Sequence, residues 1–283
     1  MNARITFYDV EHGSCCHIIT PNRMHVLVDV GSKTDSSIVQ HICRKYFGGN
    51  KDKIDALIIT HPHEDHIYDL PALTTYLPPR VIWRPRGAFD IVPSTNTSEH
   101  VAIAAAANQI NRSYNQSIDA STNPTDSRVN GGVEFKMITP KDEWTDKNDL
   151  NTFSRIIVVT CYGYKFVLTG DNPASILREM IKSNHNGVKE AVENADVLLA
   201  PHHGRVGEFC KEFFDCVNPQ LTVVSDKSIV HSTQEETASL YKGRGVVLNN
   251  GETRYVLTTR NDGTISFDIG TGHCNFKMNK EEY

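Results

Sequence analysis

Residues 55–66 read DALIITHPHEDH. The first half, 55–60, is short and almost wholly apolar, the pattern of a strand buried on both faces. The second half, His61-Pro62-His63-Glu64-Asp65-His66, packs three histidines and two carboxylates into six residues. Imidazole nitrogen and carboxylate oxygen are the donors that zinc, manganese and iron take. On an extended tip alternate residues point the same way, so His61 and His63 can share one metal. Asp65 and His66, where the chain turns, can reach a second. The bland alternative is a solvated polar loop. Four candidate ligands directly after an apolar strand argue against it.

Working outward, the chain alternates strands and helices. Residues 4–10, 15–20 and 24–29 read as strands, with Pro21-Asn22 as the turn between the last two. A helix is expected over 36–47, with Ile38 and Ile42 on one face and Gly48-Gly49 as its stop. A strand at 81–84 follows Pro78-Pro79, and AIAAAANQI sits in a helix over 98–112. The polar stretch 113–132 reads as an exposed loop, either a lid or a solvated insertion. Strands follow at 133–138, 155–161 and 164–169, the last two joined at Tyr162-Gly163. Helices are expected at 173–183, 187–194, 207–216 and 233–243. Strands are expected at 196–200, 221–225, 245–249, 254–259 and 264–269. Asn261-Asp262-Gly263 reads as a hairpin turn. Strands then helices in each half, sheets packed face to face, predict a four-layer αβ/βα sandwich. The expected organisation is one domain over 1–283 with an insertion at about 85–132.

The 283 residues are 39% hydrophobic and 22% charged, with a formal net charge of −5. That charge argues against a surface held on DNA or membrane by bulk electrostatics, although bound metal ions can supply local positive charge. Seven cysteines are present, none in CxxC spacing. This fits a reducing compartment rather than a disulfide frame. MNARITFYDV has no signal-peptide pattern, and no apolar run is long enough to span a bilayer. A cytoplasmic protein with no membrane partner is expected.

His-x-His-x-Asp-His at a strand end resembles the signature of the metallo-β-lactamase superfamily. Val28-Asp29-Val30-Gly31 resembles its early strand-end aspartate, and Val167-Leu168-Thr169-Gly170-Asp171 and Ala200-Pro201-His202-His203-Gly204 resemble its later elements, in the same order. The opening residues and Asn151-Thr152-Phe153-Ser154 further resemble the ComEC-type branch, the soluble domain of bacterial DNA-uptake channel proteins. Asp9, Val10 and Gly13 match that branch's opening element, whereas Glu11, His12 and Ser14 do not. Val224-Ser225 followed by His231 resembles its last element, with Ser232 in place of a proline. Ile67-Tyr68-Asp69 stands where the branch has glycines.

The resemblance implies a metallo-β-lactamase-type fold and a metal-dependent hydrolase, with zinc or manganese as one or two ions per chain. His61 and His63 would hold one metal, and Asp65, His66 and one of His202 and His203 the other, with Asp171 bridging. Related enzymes often add a histidine before the bridging aspartate, but residues 101–170 contain none. Water, Asn151 or His231 could complete that first site. The second histidine of the His202-His203 pair, or His231, could instead contact the substrate or protonate a leaving group. Asp65 is expected to be indispensable to catalysis. Asp29, Asn151 and Ser154 are expected behind the ligands, Asp29 orienting a histidine. The ComEC-type resemblance favours phosphodiester hydrolysis, on nucleic acid or a smaller phosphodiester. The alternatives are hydrolysis of an ester, lactone or thioester, and a binding module with a degraded metal site. Trp83, Arg84 and Arg86 could contact phosphate or simply form a surface edge. His12 has no motif support and reads as structural or exposed.

Overall fold

The computed structural model of the chain describes residues 1–33, 35–90, 97–227, 233–248 and 250–283. Two large sheets carry the fold. The first is seven-stranded: β1 (Ala3–Phe7), β2 (Cys16–Ile19), β3 (His25–Val28), β4 (Ile54–Ile58), β5 (Pro79–Trp83), and two late strands. The second holds β6 (Glu134–Ile138), β7 (Ile156–Cys161), β8 (Tyr164–Leu168), β9 (Val197–Leu199), β10 (Leu221–Val224) and β13 (Val256–Thr258). A small ribbon pairs β11 (Val246–Val247) with β12 (Thr253–Arg254), and the late strands of the first sheet are β14 (Thr264–Gly270) and β15 (His273–Asn279). The strand orders are β15-β14-β1-β2-β3-β4-β5 and β13-β10-β9-β8-β7-β6.

Strand alternation builds three cores and hence four layers. Val26, Val28, Ala56 and Ile58 face Ile157, Val159, Phe166, Leu168, Val197 and Leu199 between the sheets. Leu27, Leu57 and Ile59 point the other way, onto Ile38, Val39 and Ile42 of the helix Ile38–Phe47 and onto Ile103 and Ile110 of the helix Ser98–Ser113. On the far side Val158, Val167 and Leu198 pack against Leu177 and Met180 of the helix Ala174–Ser183 and Phe213 of Lys211–Val217. This double burial explains why the central strands read as unbroken apolar runs. Truncating one such side chain, Leu57→Ala for example, carries the usual core cost of about 2–5 kcal/mol.

β3, β4 and β5 run parallel, as do β8, β9, β10 and β13. Their carboxyl ends lie at a common edge in each sheet, the place where α/β sheets collect their functional loops. The turns at Pro21-Asn22 and Tyr162-Gly163 join antiparallel neighbours as expected. Tyr162 and Gly163 both have positive φ, as a tight two-residue hairpin requires.

Two expectations are corrected. Asn261-Asp262-Gly263 is not a hairpin turn, because β13 and β14 lie in different sheets. Thr259–Asp262 forms a helical turn, and Asp262 is committed to Arg254 Nη2 (2.7 Å) and the Thr258 amide (2.9 Å) while the chain crosses over. The hairpin lies later, between β14 and β15, a strand beyond the last one expected. The polar stretch 113–132 is also not structureless: Ser127–Asn130 is helical, and buried Asn130 bonds the Pro124 and Val133 carbonyls through Nδ2 (3.1 and 2.8 Å). Among the described residues, no helix is long and apolar enough to cross a membrane.

Candidate metal centre

β4 delivers Thr60 and the histidine loop, β8 delivers Asp171, β9 delivers His202 and His203, and β10 delivers Ser225. One ligand atom each from Asp65, His66, Asp171 and His203 lies within 4.8 Å of the others. His66 Nε2 is 3.0 Å from Asp171 Oδ1. His203 Nε2 is 3.2 Å from Asp65 Oδ2 and 3.4 Å from Asp171 Oδ2. Ligands about 2.0–2.1 Å from a tetrahedral ion are spaced by roughly 3.3 Å, so this donor set fits a small divalent cation. His66 Nε2 is buried and lacks an aligned hydrogen-bond partner, as a nitrogen kept for a metal would.

The rings are set from behind. His66 Nδ1 meets Asp29 Oδ2 at 2.7 Å, which turns Nε2 toward Asp171. Asp29 also accepts from the Thr60 amide (2.8 Å) and the Thr60 hydroxyl (2.7 Å). His203 Nδ1 meets the Ser225 carbonyl at 2.9 Å, leaving Nε2 for the cluster. The Asp171 amide donates to Ser154 Oγ at 3.1 Å. His202 and His203 both hold left-handed backbone. That conformation costs non-glycine residues about 1–3 kcal/mol each. The His202 amide bond to the Gly170 carbonyl (3.1 Å) helps to hold that turn.

A second group of donors adjoins the first. His61 Nε2 is 3.2 Å from His63 Nδ1 and 3.9 Å from Asp171 Oδ2. His202 Nε2 is 3.8 Å from the same Asp171 oxygen. Asp171 thus faces His66 with Oδ1 and His61, His202 and His203 with Oδ2. Asn151 Oδ1 is buried without a partner, and its carbonyl accepts from the Ser154 amide at 2.9 Å. His231 lies outside the described residues.

The electrostatics suit competition between protons and a cation. Burial pulls His61 well below the usual imidazole range, aided by the charge of His66, so His61 is neutral. Burial would lower His66 too, but Asp171 and Asp29 outweigh it and hold the ring well above that range. His203 is likewise raised to about 10, burial being overcome by Asp171 and Asp65. Burial would raise Asp171, yet His66 and His203 keep it well below the carboxylate range. A divalent cation bound here would compete with protons for these imidazole nitrogens.

Sequence reasoning passed over two residues here. His12 packs against His203 with ring centroids 4.4 Å apart and the planes tilted by 40°, and its Nε2 is 3.5 Å from Asp65 Oδ2. Its signal was its place beside Gly13, since the Gly13 carbonyl accepts from Ser225 Oγ at 2.6 Å and locks that loop onto the centre. Thr60 was read only as the end of the strand, yet its hydroxyl lies 3.2 Å from His61 Nδ1 as well as bonding Asp29. A buried threonine next to a histidine loop was the available clue.

A fold of two helix-covered sheets with this centre at the strand ends is of the metallo-β-lactamase type, and the sequence model of the metallo-β-lactamase superfamily matches residues 11–140. Among individual relatives, ComE operon protein 3 of Bacillus subtilis (strain 168) is 24% identical over 219 residues, 76% of this chain. The chain spans about a quarter of that relative's length. The metallo-β-lactamase fold protein YhfI of Bacillus subtilis superposes with a TM-score of 0.50 at 14% identity, covering 93% of this chain and 99% of its own. CmlA, a diiron β-hydroxylase from Streptomyces venezuelae, also superposes at 0.50 with 12% identity, over 94% of this chain and 54% of its own. These likenesses establish the fold, and the fold alone does not choose the reaction.

Proposed function

We propose that the chain is a metal-dependent hydrolase of phosphodiesters. The observation that carries the reading is the Asp65, His66, Asp171 and His203 cluster, with donor separations of 3.0, 3.2 and 3.4 Å. His61, His63 and His202 form the neighbouring half, with Asp171 between the two. His202 then takes the place of the histidine missing from residues 101–170, since its Nε2 approaches the same carboxylate oxygen as His61 does. When bound, zinc or manganese supplies Lewis acidity toward a phosphoryl oxygen and an activated water. Asp29, Thr60 and Ser154 keep the donors aimed. His12, a third of its side chain exposed and its Nε2 3.5 Å from Asp65 Oδ2, is the residue we assign to contact a substrate oxygen. Phosphodiester as substrate is supported by the resemblance of the motifs to the ComEC-type branch, Asn151 to Ser154 and Val224-Ser225 among them.

The test is hydrolysis of bis-(p-nitrophenyl) phosphate against p-nitrophenyl acetate and a chromogenic lactam, after chelation and reloading with zinc or manganese. The diester should be turned over preferentially. Asp65→Ala should lower that turnover at least a hundredfold, and unchanged turnover in the variant would sink the assignment. Metal analysis read alongside should find less than half the wild-type metal in Asp65→Ala.

A further inference from the structure

A groove of about 950 Å³ opens between the β5 edge and the segment around 139–155. Trp83, Arg84, Phe153 and Arg155 line it, and Asp119 and Asp142 are its carboxylates. The charges are unequally placed. Arg84 is only 7% exposed, held through Nε by Asn111 Oδ1 (2.8 Å) and through Nη1 by the Tyr114 carbonyl (3.0 Å). Arg155 donates from Nη2 to the Arg84 carbonyl (2.7 Å), while its Nε is buried without a partner. No carboxylate among the described residues pairs with Arg155. Asp119 and Asp142 are exposed, where water and salt screen them.

A guanidinium this deep, next to another and without its own carboxylate, is costly unless an anion reaches it. Burial and the charge of Arg84 together lower Arg155 to about 10, so it is still a cation at neutral pH. Guanidinium matches phosphate oxygens in pairs, and half-buried Trp83 and Phe153 offer faces on which bases stack. The groove also adjoins the metal centre. The Arg155 amide donates to the carbonyl of Thr60, the residue before His61, at 3.3 Å. Its neighbour Ser154 bonds the Asp171 amide. In a chain of net charge −5, such a local cationic floor is what would draw an anionic strand to this side.

We propose that this groove is a second phosphate subsite, in which Arg155 holds a phosphodiester flanking the scissile one on a single-stranded oligonucleotide. The inference rests on the phosphodiesterase reading for the reaction, but its binding test does not depend on turnover. A fluorescein-labelled, cleavage-resistant phosphorothioate 12-mer is titrated into the metal-loaded protein and followed by anisotropy at several salt concentrations. Arg155→Met is expected to weaken binding at least tenfold and to reduce the salt slope by about one, with the melting temperature kept. Ser117→Glu, on an exposed residue of the groove wall, places a negative charge there without touching the core and is expected to weaken binding severalfold. Should Arg155→Met fold poorly, Ser117→Glu decides alone. Wild-type affinity and salt slope in the variants would overturn the subsite. Wild-type protein that binds the 12-mer through Arg155 yet leaves bis-(p-nitrophenyl) phosphate intact would overturn the phosphodiesterase reading and keep the groove.

Discussion

Asp69 shows how tightly the residues behind the histidine loop are tied to the fold. Its Oδ2 accepts from Ser37 Oγ and from the Val39 amide, both at 2.7 Å, at the start of the helix Ile38–Phe47. Burial nevertheless pushes its carboxyl from 3.8 up to about 6, the two hydrogen bonds offsetting only part of the cost. Folded protein therefore binds this proton more tightly than unfolded chain does. The stabilisation is complete below about 3.8 and is lost as pH rises through about 6, a swing of at most roughly 3 kcal/mol. Asn at this position keeps an acceptor for both donors and never ionises. Asp69→Asn should melt higher than wild type at pH 7.5, and the gap should shrink by about 1.4 kcal/mol on going down to pH 5. A gap that stays constant with pH would show that Asp69 does not titrate in this window. The candidate ligands were legible at this scale because donor type and local density single them out. His12 was not, since nothing in Glu11-His12-Gly13 says that the loop folds back onto His203.

Elements succeed or fail by what their backbones must approach. Gly31 and Gly13 cradle the Asp65 carbonyl, which accepts from the Ser14 amide at 3.1 Å. A Cβ at Gly31 would stand 2.1 Å from that oxygen and 2.7 Å from the Ser14 nitrogen, both backbone atoms that cannot rotate away. Gly31→Ala should therefore cost on the order of 3–5 kcal/mol and displace Asp65 from the centre. Gly207→Ala is the control, because a Cβ there meets nothing within 4 Å. The comparison is read by melting temperature and metal content, and equal behaviour of the two variants would remove the cradle from the account. Most strands were readable because burial on both faces leaves apolar runs. The β13–β14 connection was not, because Asn-Asp-Gly carries a hairpin signal that the tertiary bonds of Asp262 to Arg254 and Thr258 override. β15 was missed for the opposite reason: HCNFKMN alternates, but at a sheet edge with much of the strand exposed its pattern is weak.

At the scale of the whole molecule, the centre lies across the two sheets. Asp65 and His66 follow β4 of the first, and Asp171 and His203 follow β8 and β9 of the second. Four layers, and this placement of ligands from distant parts of the chain, were implied by strand order and motif order. The meeting of His202 with the same Asp171 oxygen as His61 was not, because it depends on the left-handed turn at His202 and His203. A cation bound by both sheets stabilises the folded chain by mass action, about 4 kcal/mol when its free concentration is a thousand times its dissociation constant. In a chain of this length that corresponds to a melting shift on the order of 10 °C. Chelation should therefore lower the melting temperature by about that amount, and zinc or manganese should restore it. Asp171→Ala removes the carboxylate that faces both halves, so its melting temperature should not respond to chelator or metal. A chelator response as large in Asp171→Ala as in wild type would place the stabilising ion elsewhere, and no response in wild type that carries measured metal would show that the ion does not tie the sheets together.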